Sequence, residues 1–281
     1  GRVVEMLLEG MSCLALESAA KIVWSLAVQE RTREMIIRHG AIPGLVKLLC
    51  NNAIPEAQEA AAKAVWNMAV VNENRSRLAE NGVVAPLVRL LVCGTQTCKD
   101  AAAGALLELA FDDTSRLMIC EGGGIAPLIN VLETGSANGR EAAAGALVNL
   151  SINNMVKTAI VKAGGIRPLV RLVATDSAGA SQAAAKALWN LSLVDANKRA
   201  IGRAGAIKPL VHLLTNGPPA AREAAAGALW NLSQDDANKA EIAACGGLMP
   251  VRGAIDPRPS SPTTRRSSPS RKPPRATMGW Q

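Results

Sequence analysis

A nine-residue phrase returns six times along this chain with little change. It reads Ala-Ala-Lys-Ile-Val-Trp-Ser-Leu-Ala at 19–27 and Ala-Ala-Gly-Ala-Leu-Trp-Asn-Leu-Ser at 225–233. Its seventh position, used here as a marker, holds Ser25, Asn67, Glu108, Asn149, Asn190 and Asn231, 42 residues apart at the first step and 41 at each later one. A period near 40 written in helix-forming Ala and Leu predicts short helices stacked into a solenoid. Each unit of a solenoid touches only its neighbours, so the chain offers a long surface rather than one deep central site.

Residues 196–235 show one unit in full. Asp195 or Asn197 can cap a first helix running to about Arg203. Gly205 ends it, because glycine tolerates positive φ. Ile207 and Pro209 open a second helix, and Pro209–Leu214 carries its apolar residues. Asn216-Gly217-Pro218-Pro219 breaks that helix, and a third and longest one covers about 221–234. The same punctuation recurs at Gly40, Gly82, Gly124, Gly165 and Gly247. Five complete units fit at 31–71, 73–112, 114–153, 155–194 and 196–235, with partial units at 3–28 and 237–246, giving a solenoid over 1–250. Neither end shows a polar cap, so the repeat is expected to continue upstream.

Hydrophobic residues make up 49% of the chain but aromatics only 2%, so the core must be aliphatic. No apolar run approaches the ~18 residues of a membrane span. Cys13, Cys50, Cys93, Cys98, Cys120 and Cys245 form no CxxC pair and have few histidines to join them. They read as reduced packing thiols of a cytoplasmic or nuclear protein, and no metal or other cofactor is expected. His39 and His212 hold unrelated places in different units. There is no P-loop, no Gly-x-Ser-x-Gly and no His-Glu-x-x-His, so neither an enzyme nor a small-molecule substrate is expected. The net charge of +8 is mostly in residues 251–281, where seven bases face one acid and leave +2 for the repeats. That Pro/Ser-rich tail is too poor in apolar groups to order itself. It carries Ser261-Pro262 and Ser268-Pro269, which resemble proline-directed phosphorylation sites. It reads as a solvated tail, with a nuclear signal or weak nucleic-acid contact as the alternatives.

Within the repeat, the position four before the marker is Lys21, Lys63, Gly104, Gly145, Lys186 or Gly227. A place that accepts Lys is not expected in the core, because an unpaired buried ammonium is costly. The marker lies one turn on, on the same face. Asn67, Asn149, Asn190 and Asn231, with Lys63 and Lys186, are therefore the candidate peptide-binding groove. An Asn amide offers both acceptor and donors to a peptide unit, although the same residues can instead bridge neighbouring repeats. Trp24, Trp66, Trp189 and Trp230 precede the marker and read as packing between repeats, an aromatic shelf being the alternative. Glu17, Glu59, Asp100, Glu141, Gln182 and Glu223 suit the first turns of the third helix, where the helix dipole favours acids. Arg33, Arg75, Arg116, Lys157, Lys198 and Lys239 sit near the start of the first helix, where bases oppose the dipole. They are expected to form a solvated basic ridge or a contact line for acidic partners.

The repeated phrase and its Gly-x-Ile-x-Pro turn resemble armadillo repeats over about 1–250. Phrases at 146–154 and 197–211 are similar to the armadillo region of plant-type U-box ubiquitin ligases, and also to vacuolar and catenin-type armadillo proteins. The resemblance implies an all-α right-handed superhelical solenoid of three-helix repeats that binds extended partners in its groove, with the third-helix Asn on their backbone. Importin-α proteins carry Trp four before that Asn, where this chain has Lys or Gly, which counts against a nuclear import receptor. The expected activity is that of a protein-interaction scaffold. The alternatives are the substrate-binding part of a U-box ligase and weak nucleic-acid binding through ridge and tail.

Overall fold

The computed structural model describes residues 3, 4, 7, 12–175 and 177–247. The basic tail with its two Ser-Pro pairs, and Pro250, lie outside them. Seventeen helices and no strand occur among the described residues. A lone long helix, α1 (Cys13–Ala27), is followed by α2 (Glu30–Arg38), α3 (Ala41–Leu49) and α4 (Pro55–Ala69). The triplet repeats as α5 (Asn72–Glu80), α6 (Val84–Cys93), α7 (Gln96–Leu109), then α8 (Asp113–Glu121), α9 (Ile125–Thr134), α10 (Ala137–Leu150). It continues as α11 (Asn154–Lys162), α12 (Ile166–Val173), α13 (Ala178–Ser192), then α14 (Asp195–Arg203), α15 (Ile207–Asn216), α16 (Pro219–Leu232), and ends with α17 (Asp236–Ala244). No described helix is long and apolar enough to cross a membrane.

Local chemistry places these boundaries. Ser12, Thr95, Ser136 and Ser177 cap α1, α7, α10 and α13 by accepting from a backbone N–H three residues on. Pro55 and Pro219 instead open α4 and α16, where a missing N–H costs nothing. The third helix of the last unit therefore begins at Pro219, earlier than the Pro-Pro break suggested. Each first helix ends at a glycine with φ between 73° and 82°: Gly40, Gly82, Gly123, Gly164, Gly205 and Gly246. At the three Gly-Gly pairs it is the first glycine that turns, not Gly124, Gly165 or Gly247. The second donates back instead, as Gly124 does to the Ile119 carbonyl at 2.9 Å.

Alanine and leucine divide the packing. The third helices bury Ala61, Ala62 and Ala64 of α4, Ala101–Ala103 of α7 and Ala184, Ala185 and Ala187 of α13, which lets neighbouring backbones approach. Leu45, Leu87, Leu128, Leu169 and Leu210 of the second helices fill the space beneath. The core is continuous from Val4 to Ile242 and has no centre, as stacking requires.

Candidate functional site

Each third helix packs against the ones before and after it, α1 on α4, α4 on α7, and so on to α16. Spacings of four residues put Glu59, Lys63 and Asn67 on one face of α4, and their counterparts on the same face of the others. Three of the four asparagines reach back one repeat. Asn149 Nδ2 donates to the Leu107 carbonyl at 3.2 Å, and Asn190 Nδ2 to the Val148 carbonyl at 3.3 Å and Ser151 Oγ at 2.9 Å. Asn231 Nδ2 donates to Ser192 Oγ at 3.0 Å, and this residue is only 9% exposed. The amides thus pin successive repeats in register. Asn149 and Asn190 stay half-exposed, and Oδ1 of each accepts no hydrogen bond among the described residues. Asn67, also half-buried, makes none there at all. The open rungs are therefore Asn67, Asn149 and Asn190, while Asn231 is closed over.

Packing between repeats accounts for the glycines at the position four before the marker. The Trp66 ring lies on Gly104, where a Cβ would come within 2.6 Å of ring carbons, and Leu107 lies on Gly145 in the same way. Trp189 covers Gly227. Gly104 is buried, so the position is not uniformly a solvent-facing one. Where the position is Lys, its chain runs out over the neighbour. Lys63 Nζ stands 4.5 Å above the Trp24 ring and 2.6 Å from Glu59. Lys186 is exposed, and the place that Trp holds in other repeats is taken one repeat before it by the smaller Val148. Trp230 is 48% exposed, no third helix following it among the described residues.

The acidic row serves two repeats at once. Burial pushes the Glu59 carboxyl up, but hydrogen bonds from Lys63 and Thr97 outweigh it and hold it below the ordinary range. Asp100 and Glu141 crowd Gly139 and Gly179 in the first turn of the following third helix. Each of these two acids therefore lies against the N-terminus of the following third helix, where the dipole favours it, while neither falls in the first turn of its own.

Glu108 departs from the ladder. A carboxylate cannot donate as Asn does, and burial raises its pKa, an effect that Arg75 only partly offsets. Arg75 Nη2 stands 3.6 Å from Glu108 Oε2, and the guanidinium lies 4.9 Å from the Phe111 ring.

The expected basic ridge does not exist as one. Arg75 donates to the Ala69 and Val70 carbonyls at 2.8 and 3.3 Å, and Arg116 to the Ala110 and Phe111 carbonyls at 3.1 and 3.2 Å. Arg33 does the same to Ala27 and Val28. Lys157 and Lys198 are buried, on Asn154 Oδ1 at 2.7 Å and Asp195 Oδ1 at 2.6 Å. The carbonyls that the arginines meet belong to the preceding helix, not to the helix that carries them. The start of each first helix adjoins the C-terminus of the preceding third helix, whose free carbonyls favour cations. Asn74 and Asn197 complete those caps on Met68 and Leu191, so Asn197 does not cap its own helix, and the N-cap of α14 is Val194.

The armadillo/beta-catenin-like repeat family matches residues 29–70, 112–152, 153–193 and 195–234, more than half of the chain. The chain belongs to that family. Between the matched blocks, 71–111 folds into the same three helices, α5, α6 and α7. A comparison with curated protein sequences gives no match. Among solved structures, an engineered protein superposes with a TM-score of 0.81 at 29% identity, covering 89% of this chain and 62% of its own. A computationally designed armadillo repeat protein for modular peptide recognition gives 0.75 at 27%, covering 82% and 98%. A designed armadillo repeat protein in complex with the peptide (KR)4 gives 0.73 at 26%, covering 82% and 98%. The fold is thus an all-α right-handed superhelical solenoid of armadillo repeats.

Two features of this armadillo chain lie within the repeated phrase, yet their roles emerge only from the packing of one repeat on the next. Ser151 and Ser192, two after the marker, receive the Asn amides, and Gly104 and Gly227 make room for the rings of Trp66 and Trp189. Both recur at the repeat period, so aligning the six phrases against one another exposes them. No group of His, Cys, Asp and Glu suited to a metal occurs among the described residues, and all six cysteines are free.

Proposed function

We propose that the chain is a non-enzymatic scaffold whose groove binds an extended segment of a partner protein, with Asn67, Asn149 and Asn190 on the partner's backbone. The observation that carries this is the pair of open Oδ1 acceptors at Asn149 and Asn190, held in place by their own inter-repeat hydrogen bonds. Third helices ~10 Å apart meet an extended chain of polyproline II twist, which returns the same face every ~9.3 Å, at about every third residue. Three backbone contacts at ~1 kcal/mol each give only weak binding, so partner side chains must supply the rest. Asp100 and Glu141 stand without a Lys four residues on, whereas Lys186 has Gln182 where the others have an acid. That pattern favours a partner with a base opposite α7 and α10 and an acid opposite α13. One designed armadillo neighbour in complex with the peptide (KR)4, and another designed for modular peptide recognition, support the reading by analogy. Cytosol or nucleus would keep the six thiols reduced.

The test is an array of disordered-segment peptides probed with the chain and with an Asn67→Ala/Asn149→Ala/Asn190→Ala variant. The reading requires binding that the variant loses while keeping its helical circular dichroism. Equal binding by the variant would refute it. A second reading, favoured by the phrases at 146–154 and 197–211, makes the chain the substrate-binding part of a U-box ligase. Sequencing the transcript upstream of Gly1 tests it, since a domain other than a U-box there would contradict it.

A further inference from the structure

One periodic feature is used by neither the core nor the groove. Val28, Val70, Phe111, Ile152 and Leu193 each lie three residues after the marker, and each is between 50% and 61% exposed. They stand where the third helices end. Val28, Val70 and Leu193 are the C-caps of α1, α4 and α13, and Phe111 and Ile152 follow the C-caps of α7 and α10. Helix ends commonly bury an apolar residue next to the cap, yet these five remain open. Equivalent positions of a solenoid line up, so they form an apolar ladder along one edge. At Ile152 the ladder opens into a cleft of about 390 Å³ between α8 and α11, walled by Leu117, Cys120, Ile152 and Val156.

The charge beside the ladder is sorted by depth. The bases of this edge turn inward, with the Arg116 and Lys198 side chains only 18% and 10% exposed, while their partners Asp113 and Asp195 are 88% and 92% exposed. Glu30, Glu73 and Asp236 are exposed at the corresponding helix starts, and among the described residues Arg31 at one end, and Lys239 and the 64% exposed Arg199 on Asp235 at the other, oppose them. The outward face of the edge is apolar with an acidic border.

We propose that this edge docks an amphipathic helix of a partner, presenting one apolar anchor every seventh residue and basic residues alongside. Pitch and facing select that occupant. Rungs ~10 Å apart match seven residues of α-helix, which advance ~10.5 Å and return to nearly the same face. A β-strand covers ~10 Å in three residues but has then turned its side chain to the opposite face. A polyproline II segment returns its face every ~9.3 Å, but a proline ring is too short to fill the cleft beside Ile152, which a Leu or Phe anchor enters.

The probe is a synthetic 29-residue helical peptide with Leu at every seventh position and Lys alongside, followed by fluorescence anisotropy on the full chain. Three controls accompany it: a scramble of the same composition, a basic polyproline peptide, and the variant Phe111→Ser/Ile152→Ser/Leu193→Ser. The substituted side chains are exposed, and circular dichroism verifies that the variant keeps its helices. The expected result is binding of the heptad peptide, at least tenfold weaker to the variant and weaker to Asp113→Asn/Asp195→Asn. Asn149→Ala/Asn190→Ala should leave it unchanged. Equal binding of the scramble, equal binding to the triple variant, or preference for the polyproline peptide would each overturn the proposal. So would sedimentation showing wild-type dimers that the triple variant abolishes, because a second copy of the chain would then cover the edge.

Discussion

The rung on α7 and the rung on α13 occupy the same repeat position and solve it in opposite ways. On α13, Asn190 holds the previous repeat with its amide and keeps an acceptor free. On α7, Glu108 has no hydrogen to give, and its carboxylate closes on Arg75, which already caps α4. The four-before position differs in parallel: Gly104 lies beneath Trp66, whereas Lys186 is exposed, with Val148 in the place of that Trp one repeat before. A repeat position is thus specified by what the preceding repeat places on it as much as by the face it occupies.

Exchanging the two solutions gives the largest expected effect. Gly104→Lys forces a Cβ into the Trp66 ring and should cost ~1–3 kcal/mol by urea unfolding. Adding Trp66→Val recreates the Val148 and Lys186 pairing and should recover part of that loss. A double variant no more stable than the single would break the packing account of the alternation.

Next is Arg75→Met, which strips the cap from α4 and leaves Glu108 without its cation. A loss of ~1–3 kcal/mol is expected. Lys198→Met, at the matching place, should cost less, because Lys198 Nζ bonds side chains rather than helix carbonyls. Equal losses would show that the caps contribute nothing specific.

Asn190→Ala should cost ~1 kcal/mol, and Ser151→Ala less, since the Val148 carbonyl remains as a partner for Asn190. Glu108→Gln is the smallest change. The Glu108 pKa is raised in the folded chain, so its ionised form disfavours folding above that value, and the penalty disappears as pH falls below the ordinary carboxylate range. The Gln variant should therefore be the more stable at pH 7, by under ~1 kcal/mol, with the gap closing by about pH 4. A gap that widens on acidification would mean that Arg75 dominates.

Much of this was legible in the sequence because the repeat is its own alignment. The period gives the number of third helices, while their starts are set by the Ser, Thr and Pro residues before them, which put the last one at Pro219 rather than at about 221. What a single helix does not reveal is what its neighbour places on it. Arg75 and Arg116 looked unfavourable at their own helix start because the carbonyls they cap belong to the preceding helix. Gly104 looked solvent-facing because Lys holds the place elsewhere, while the ring above it comes from 38 residues earlier. The closure of Asn231 had no sequence signal, since the same phrase leaves Asn190 open one repeat before.

The central claim is that open Asn carbonyls in the groove accept backbone N–H groups from an extended partner. An N-methyl scan of the best array peptide, titrated calorimetrically against the full chain, tests it most directly. Losses of affinity recurring about every third residue, and absent from the Asn67→Ala/Asn149→Ala/Asn190→Ala variant, are the predicted result. A flat scan would contradict it and leave the groove asparagines as pins between repeats alone.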